Sequence, residues 1–302
     1  MNPIRSLALN ARYLAQRASR QNRLNELASQ NQAPISVLFY HRVADQFPNP
    51  WTISTDKFQQ HIEYCEENFE MISLAEVQNR LESGCSPRPA VSITFDDGYA
   101  ENSEFALPYL IEKRIPCTYF VTTEHIRRNL PFHHDVQFGR LLDVNTPAQL
   151  KDAIAGGIEI GIHTANHIDF SQVTDIKTLQ TEIVDAKADL EDMIDHSVSY
   201  FAVPFGMPQQ MRPAVFETAR QCGIRGVCSA FGAYNQVGND AFHIRRIHGD
   251  PQFARLRNWL SYDERKCLSE PALPLDDILT PGPSAVFAPV SFPSFSSQAI
   301  PT

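Results

Sequence analysis

The stretch Ala90-Val91-Ser92-Ile93-Thr94-Phe95-Asp96-Asp97-Gly98 opens as a strand and ends as a turn. Its first six residues form a short apolar run of β-branched and aromatic side chains, the signature of a buried strand. Gly98 then lets the chain turn, so that two adjacent carboxylates can converge on one place. Two anions side by side are costly unless a cation lies between them or one takes a proton. The plainer alternative is an Asp97-Gly98 turn in which Asp96 caps the segment that follows.

Working outward, the same strand-then-helix alternation repeats. Ile35 to Tyr40 reads as a strand, and Phe58, Ile62, Cys65 and Phe69 then recur at helical spacing. Glu101 to Arg114 reads as a helix, with strands at Cys117 to Val121 and Ile158 to Ile162. Between residues 175 and 195, Ile176, Leu179, Ile183, Ala186, Leu190 and Ile194 step by three and four, one apolar stripe facing a sheet. Strands at Val198 to Val203, Gly226 to Ser229 and Phe242 to Ile247 follow, with helices near 208–222 and 251–260. Repeated βα units imply an α/β fold, a parallel sheet covered by helices.

The 302 residues, 43% of them hydrophobic, suffice for one large domain. Three parts are expected: a basic helical extension over 1–33, the α/β domain over 34–265, and a Pro/Ser-rich disordered tail over 266–302. A net charge of -9 without a long basic run argues against nucleic acid as a partner. No stretch reaches the roughly 18 to 20 apolar residues of a membrane span. Arg5, Arg12, Arg17, Arg20 and Arg23, dispersed among Leu and Ala, do not read as a secretory signal. They suit a helix packed on its own domain, or one making peripheral contact with an anionic membrane. Cys65, Cys85, Cys117, Cys222, Cys228 and Cys267 are scattered and read as thiols of a reducing compartment. The expected location is therefore the cytoplasm, with the inner membrane surface included and cell-envelope action left open; the oligomeric state is not legible.

Hydrolysis of an unactivated amide or ester needs a nucleophile made from water, a sink for the oxyanion's charge and an acid for the leaving group. A metal held by three protein ligands with one position open supplies the first two. His163-Thr164-Ala165-Asn166-His167 places two imidazoles four residues apart, and a helical turn directly after the strand ending at Ile162 would bring both onto one face. Such a pair arises often by chance and needs a carboxylate. Location strengthens the case: Tyr40-His41, Asp96-Asp97, His163 to His167, Pro204-Phe205-Gly206 and His248 each follow a separate strand, the edge where parallel α/β folds build their sites.

Here the sequence resembles the polysaccharide deacetylase family with the NodB homology domain, carbohydrate esterase family 4, over about residues 35–260. The motif TFDDG stands at Thr94 to Gly98, and H[ST]xxH at His163 to His167. The resemblance implies a distorted (β/α) barrel of about seven parallel strands and a hydrolase that removes N-acetyl groups from an N-acetylated sugar. It also implies a divalent ion, zinc or alternatively cobalt or nickel, on Asp97, His163 and His167, with Asp96 as general base. Tyr40-His41-Arg42-Val43 and Pro204-Phe205-Gly206 further resemble the branch that includes poly-N-acetylglucosamine deacetylases.

The third motif departs from the pattern. RxPxG reads Ala202-Val203-Pro204-Phe205-Gly206, so Ala202 stands where many members have an arginine paired with the catalytic Asp. In His243-Ile244-Arg245-Arg246-Ile247-His248, strand alternation puts Ile244, Arg246 and His248 on one face. Arg246 is the candidate substitute for the arginine, and His248 the candidate general acid. His41, Pro204, Phe205 and Gly206 are candidate substrate contacts. His133-His134-Asp135 reads as an exposed polar loop that could line a sugar groove, and Trp51 and Tyr99 as rings that stack on sugar or pack under a loop.

The expected function is metal-dependent N-deacetylation of an N-acetylhexosamine-containing polysaccharide or glycoconjugate. The alternatives are an O-acetyl esterase or cyclic-amide hydrolase using the same residues, and a catalytically silent glycan- or metal-binding module.

Overall fold

A computed structural model describes residues 3–268 and 271–274. Of the tail expected over 266–302, residues 269–270 and 275–302 lie outside the described residues, and residues 266–268 end a short helix, Glu264–Leu268.

The strands are β1 (Ile35–Tyr40), β2 (Ala90–Phe95), β3 (Cys117–Val121), β4 (Glu159–Ile162), β5 (Tyr200–Ala202), β6 (Gly226–Cys228), β7 (His243–Ile244) and β8 (Ile247–His248). They pair in parallel in the order β7-β6-β5-β4-β3-β2-β1-β8, and the short strand Glu70–Met71 also pairs with β2. This is a curled sheet of the distorted (β/α)-barrel type. Counting residues 243–248 as one segment and setting aside the two-residue strand Glu70–Met71, it has the seven strands expected.

That last segment is not one strand. Its first half pairs with β6 at one edge of the sheet, His243 opposite Val227, and its second half with β1 at the other edge, Ile247 opposite Leu38. Arg245 and Arg246 bridge the two edges, so the curl is closed by chain rather than by a continuous ladder. The alternation argument for residues 243–248 therefore fails at its middle, where the pairing partner changes.

Period-two alternation holds elsewhere. Val91, Ile93, Phe95, Tyr119, Val121, Ile160, Ile162, Phe201 and Val227 belong to the larger apolar core, while Ile35, Val37, Phe120, Tyr200, Ala202, Cys228 and Ile244 form a second, smaller core. The smaller core demands small residues: a Cβ on Gly161 would lie 2.4 Å from Phe120 Cδ1. Helix Thr55–Asn68 buries Phe58, His61, Ile62 and Cys65, close to the stripe read from sequence.

Two predicted helices are modified. The segment read as a helix from Glu101 to Arg114 is a 3₁₀ turn at Ala100–Ser103 followed by a helix over Ala106–Glu112. The stripe helix runs from Ile176 to Ile194 but widens to a π-helical turn over Gln180–Asp185. Leu179, Ile183, Ala186, Leu190 and Ile194 are buried as expected, and Ile176 is exposed. The N-terminal helix Pro3–Ser29 packs on Phe253–Leu260; Arg20 donates to Asn258 Oδ1, Ser261 Oγ and Asp263 Oδ2 at 3.1, 2.6 and 2.7 Å.

Candidate active site

Asp96 follows the last residue of β2, where its amide donates to Tyr40 O at 2.9 Å and continues the pairing with β1. Its carboxylate meets Arg246 in a bidentate pair: Nη1 to Oδ1 at 2.7 Å and Nη2 to Oδ2 at 2.8 Å. Both residues are almost wholly buried. Two further donors of the guanidinium are taken as well, Nε by Ser229 O at 2.7 Å and Nη1 also by Thr94 Oγ1 at 3.1 Å. Phe39 and Phe120 present their rings to it at 4.8 and 5.5 Å. Burial alone would raise the Asp96 pKa, but the charge of Arg246 outweighs it and holds the carboxyl below its ordinary value. Asp96 is thus a buried anion with a complete partner.

Asp97 differs in every respect. Its φ is +75°, in the left-handed region, and this turns its carboxylate away from that of Asp96 toward His163 and His167. Gly98 follows at φ +101° with its Cα against Val121 and Ile126, where even a Cβ would be crowded at 3.2–3.3 Å. Asp97 Oδ1 is buried and accepts no hydrogen bond; His167 Nε2 lies 3.3 Å from it and His163 Nε2 3.5 Å. One ligand atom from each of the three residues lies within 4.8 Å of the others.

The tautomer of His163 follows from its other nitrogen. Nδ1 faces Ala202 O at 2.7 Å, and since a carbonyl only accepts, Nδ1 carries the proton and Nε2 turns its lone pair toward Asp97. Burial pushes the His163 pKa down to about 4 against the opposing pull of Asp96, so the ring is neutral at neutral pH. An unpartnered buried carboxylate oxygen beside a neutral imidazole lone pair and a second imidazole nitrogen is a donor set that fits a divalent cation.

His163 and His167 do not lie on a helical turn. Residues 163–167 are a loop with Thr164 at φ +66° and His167 at φ +56°. Helical spacing was the wrong reason for a correct pairing: the two rings converge, 5.0 Å apart, because of these left-handed residues. Phe205 is also left-handed at φ +60°, half-exposed, with its ring 5.3 Å from that of His167. Backbone strain is therefore concentrated around the site.

At the mouth, His41 stacks on Trp51 at 4.8 Å, and His248 lies 6.2 Å from each of them and 5.2 Å from Phe39. Burial lowers the pKa of His41 and brings that of His248 to about 4. Arg42 supports the loop that carries Trp51, donating to Gln46 O, Phe47 O and Thr52 Oγ1 while paired with Glu101. Pro204 and Gly206 are buried beside exposed Phe205.

Two other readings are decided here. Tyr99 is fully buried, which takes the second of its two readings, a ring packed under a loop, and its hydroxyl donates to Asp135 Oδ2 at 2.7 Å. Residues His133–Gln137 form a short helix rather than an exposed loop, with Asp135 buried and also accepting from Asn49 Nδ2 at 2.8 Å. Sequence reasoning also missed Thr94 and Ser229 as partners of Arg246, and Glu182, which lies 5% exposed behind the His163–His167 loop. The signal for Glu182 was a carboxylate three residues after Leu179 and four before Ala186, on the apolar stripe.

The polysaccharide deacetylase family model matches residues 83–227, a span that contains Asp96, Asp97, His163 and His167. The chain carries a polysaccharide deacetylase domain. This deacetylase is 25% identical over 224 residues to YxkH of Bacillus subtilis (strain 168), whose name places it among the polysaccharide deacetylases; the match covers 73% of the chain and 74% of that relative. It is 29% identical over 138 residues to a peptidoglycan-N-acetylglucosamine deacetylase of Bacillus cereus, covering 45% of the chain and 54% of that protein. The deacetylase fold also superposes on IcaB from Ammonifex degensii with a TM-score of 0.65, 24% identity and coverage of 76% of this chain and 97% of that one. The polysaccharide deacetylase described here is accordingly a hydrolase of the NodB homology class, carbohydrate esterase family 4.

Proposed function

We propose that the chain is a metal-dependent N-deacetylase acting on an N-acetylhexosamine-containing polysaccharide or glycoconjugate. The observation that carries this reading is the orphaned Asp97 Oδ1 facing His163 and His167 beside an Asp96 already neutralised by Arg246. Asp97, His163 and His167 would hold the ion, with zinc the first choice and cobalt or nickel as alternatives. When bound, such an ion lowers the pKa of water from about 15.7 toward roughly 7 and polarises a carbonyl.

The chain's own residues account for the proton traffic. Asp96, kept ionised by Arg246, accepts the proton of the attacking water. Arg246 also fixes the orientation of the carboxylate, since a bidentate fork allows only one plane. It thereby takes the part of the arginine absent at Ala202. His248 is the proposed acid for the leaving amine. Its ring rests neutral, so the proton it gives to the amine is the one Asp96 has taken from the attacking water, passed on through His248, which leaves both residues as they began. His41, Pro204, Phe205 and Gly206 are proposed to contact the sugar, with half-exposed Trp51 stacked on His41 as part of the same wall.

The names of the Bacillus cereus relative and of the family agree with an N-acetylated glycan. The branch resemblance at Tyr40 to Val43 favours short poly-N-acetylglucosamine. Acetate release from chitooligosaccharides and from short poly-N-acetylglucosamine, with and without chelator, tests the reading. Chelator-sensitive release is expected; none from any acetylated sugar at saturating zinc or cobalt would instead favour a binding module.

A further inference from the structure

The loop 163–167 brings two of the three proposed ligands together while holding Thr164 and His167 in the left-handed region, φ +66° and +56°. Such residues are strained, and the conformation persists only where its surroundings over-determine it. The question is what holds it.

Its backbone groups divide by type. The carbonyls of Thr164 and Ala165 are taken by the amides of Thr123 and Glu124, at 3.0 and 2.9 Å, from the first turn of the helix Thr123–Arg128. Within the loop His167 N donates to Thr164 Oγ1 at 2.9 Å, and three further donors go to one residue on the opposite side. Glu182 accepts from Ala165 N through its own carbonyl at 3.2 Å, from Asn166 N through Oε2 at 2.9 Å and from Asn166 Nδ2 through Oε1 at 2.8 Å. Both carboxylate oxygens and the carbonyl of one side of a helix thus grip two consecutive residues lying between His163 and His167. Glu182 reaches them from the π-helical turn Gln180–Asp185, where Glu182 and Ile183 are both buried. Such widened turns recur at functional positions.

We propose that Glu182 is a positioning residue for the metal site: it sets the loop so that His163 and His167 converge on Asp97, and so governs ion affinity without touching ion or substrate. This rests on the metal reading above. A carboxylate is needed because two N–H groups approach it and a carboxylate only accepts. In Glu182→Gln the size is kept, but whichever oxygen becomes NH₂ faces a donor.

The test is titration of the full chain with Zn²⁺, and with Co²⁺ read by its visible absorption, for the wild type, Glu182→Gln and Asn166→Ala. Asn166 is exposed, and its truncation removes the Nδ2 contact from the other end, guarding against a Glu182 variant that fails to fold. For Glu182→Gln the expected result is a roughly tenfold weaker dissociation constant, the low end of what partners behind metal ligands cost, with an altered Co²⁺ spectrum. Asn166→Ala is expected to weaken binding less, in the same direction. A merely structural role would lower the melting temperature of the ion-free chain and leave both ion constants and the spectrum unchanged; that outcome overturns the inference while leaving the metal reading intact. Failure of the wild type itself to bind Zn²⁺ or Co²⁺ overturns the metal reading, and the role of Glu182 with it.

Discussion

Asp96 and Asp97 are neighbours in sequence and equally buried, yet one is satisfied by the protein and the other is not. Asp96 has both oxygens in the Arg246 fork, and two more of the fork's donors go to Ser229 and Thr94. Asp97 has an oxygen without any hydrogen bond, opposite two imidazole nitrogens. Identical side chains separate in role because φ at Asp97 reverses the direction in which its carboxylate leaves the strand end. One half of the site is electrically complete in the protein alone, and the other is where the proposed cation would bind.

The largest test of this contrast is to break the complete half. Asp96→Asn removes the proposed base and is expected to lower turnover by about 10²–10⁴-fold. Arg246→Ala is expected to lose turnover to a similar degree and to destabilise the fold by about 3–5 kcal/mol, because it strands a buried anion. Steady-state acetate release and chemical denaturation would check both. Full turnover in Arg246→Ala beside an inactive Asp96→Asn would remove Arg246 from the mechanism.

Restoring the family's arginine should harm rather than help. Ala202 is fully buried in the small inner core, and its strand neighbour across the ladder is Cys228. Ala202→Arg would overpack that core and place a second cation near one already paired, costing at least the 1–3 kcal/mol of overpacking. A variant as stable as the wild type with raised kcat would show that Arg246 is an inferior partner.

The incomplete half is tested by the ion. Zinc at about one hundred times its dissociation constant should stabilise the fold by about 2.7 kcal/mol, seen as a chelator-reversible rise in melting temperature. Asp97→Asn should abolish that rise, and Arg246→Ala should keep most of it. Equal loss in both variants would mean that the two halves are not separable.

The smallest effect is set by histidines outside both halves. His61 and His243 are buried and neutral, each with a pKa lowered by burial to about 4 from the ordinary 6.5. Their folded values lie below their unfolded ones, so between pH 4 and 6.5 the unfolded chain binds more protons and stability falls as pH falls. The penalty from pH 7 to 5 should be on the order of 1–2 kcal/mol per histidine. His61→Phe should flatten the slope of melting temperature against pH, and an unchanged slope would exclude His61 as a source.

The strand ends carrying Asp96, Asp97 and His163 were legible because a parallel sheet with helices on its outer face leaves a period and a polar break where each strand stops. The 163–167 loop was not, since HxxxH has the same spacing on a helical turn and on a loop with two left-handed residues. Arg246 was identified as a candidate by elimination and by a strand that does not exist as one piece; what actually aims it is the change of pairing partner between Ile244 and Ile247, a property of the whole sheet. Tyr99 was left open, Asp135 misread and Glu182 overlooked because their burial depends on loops packed from residues 36 to 86 positions away or on a widened helical turn.

The bridging of the two sheet edges by residues 243–248 also orders events in time. During synthesis the proposed ion ligands are all in the nascent chain once His167 has been made, whereas Asp96 waits for a partner 150 positions downstream. A chain interrupted anywhere between these points holds the proposed ligands but lacks the arginine that pairs with the proposed base. The residue that closes the curl is the same one that pairs with Asp96, so an incompletely wound chain leaves that carboxylate without its partner.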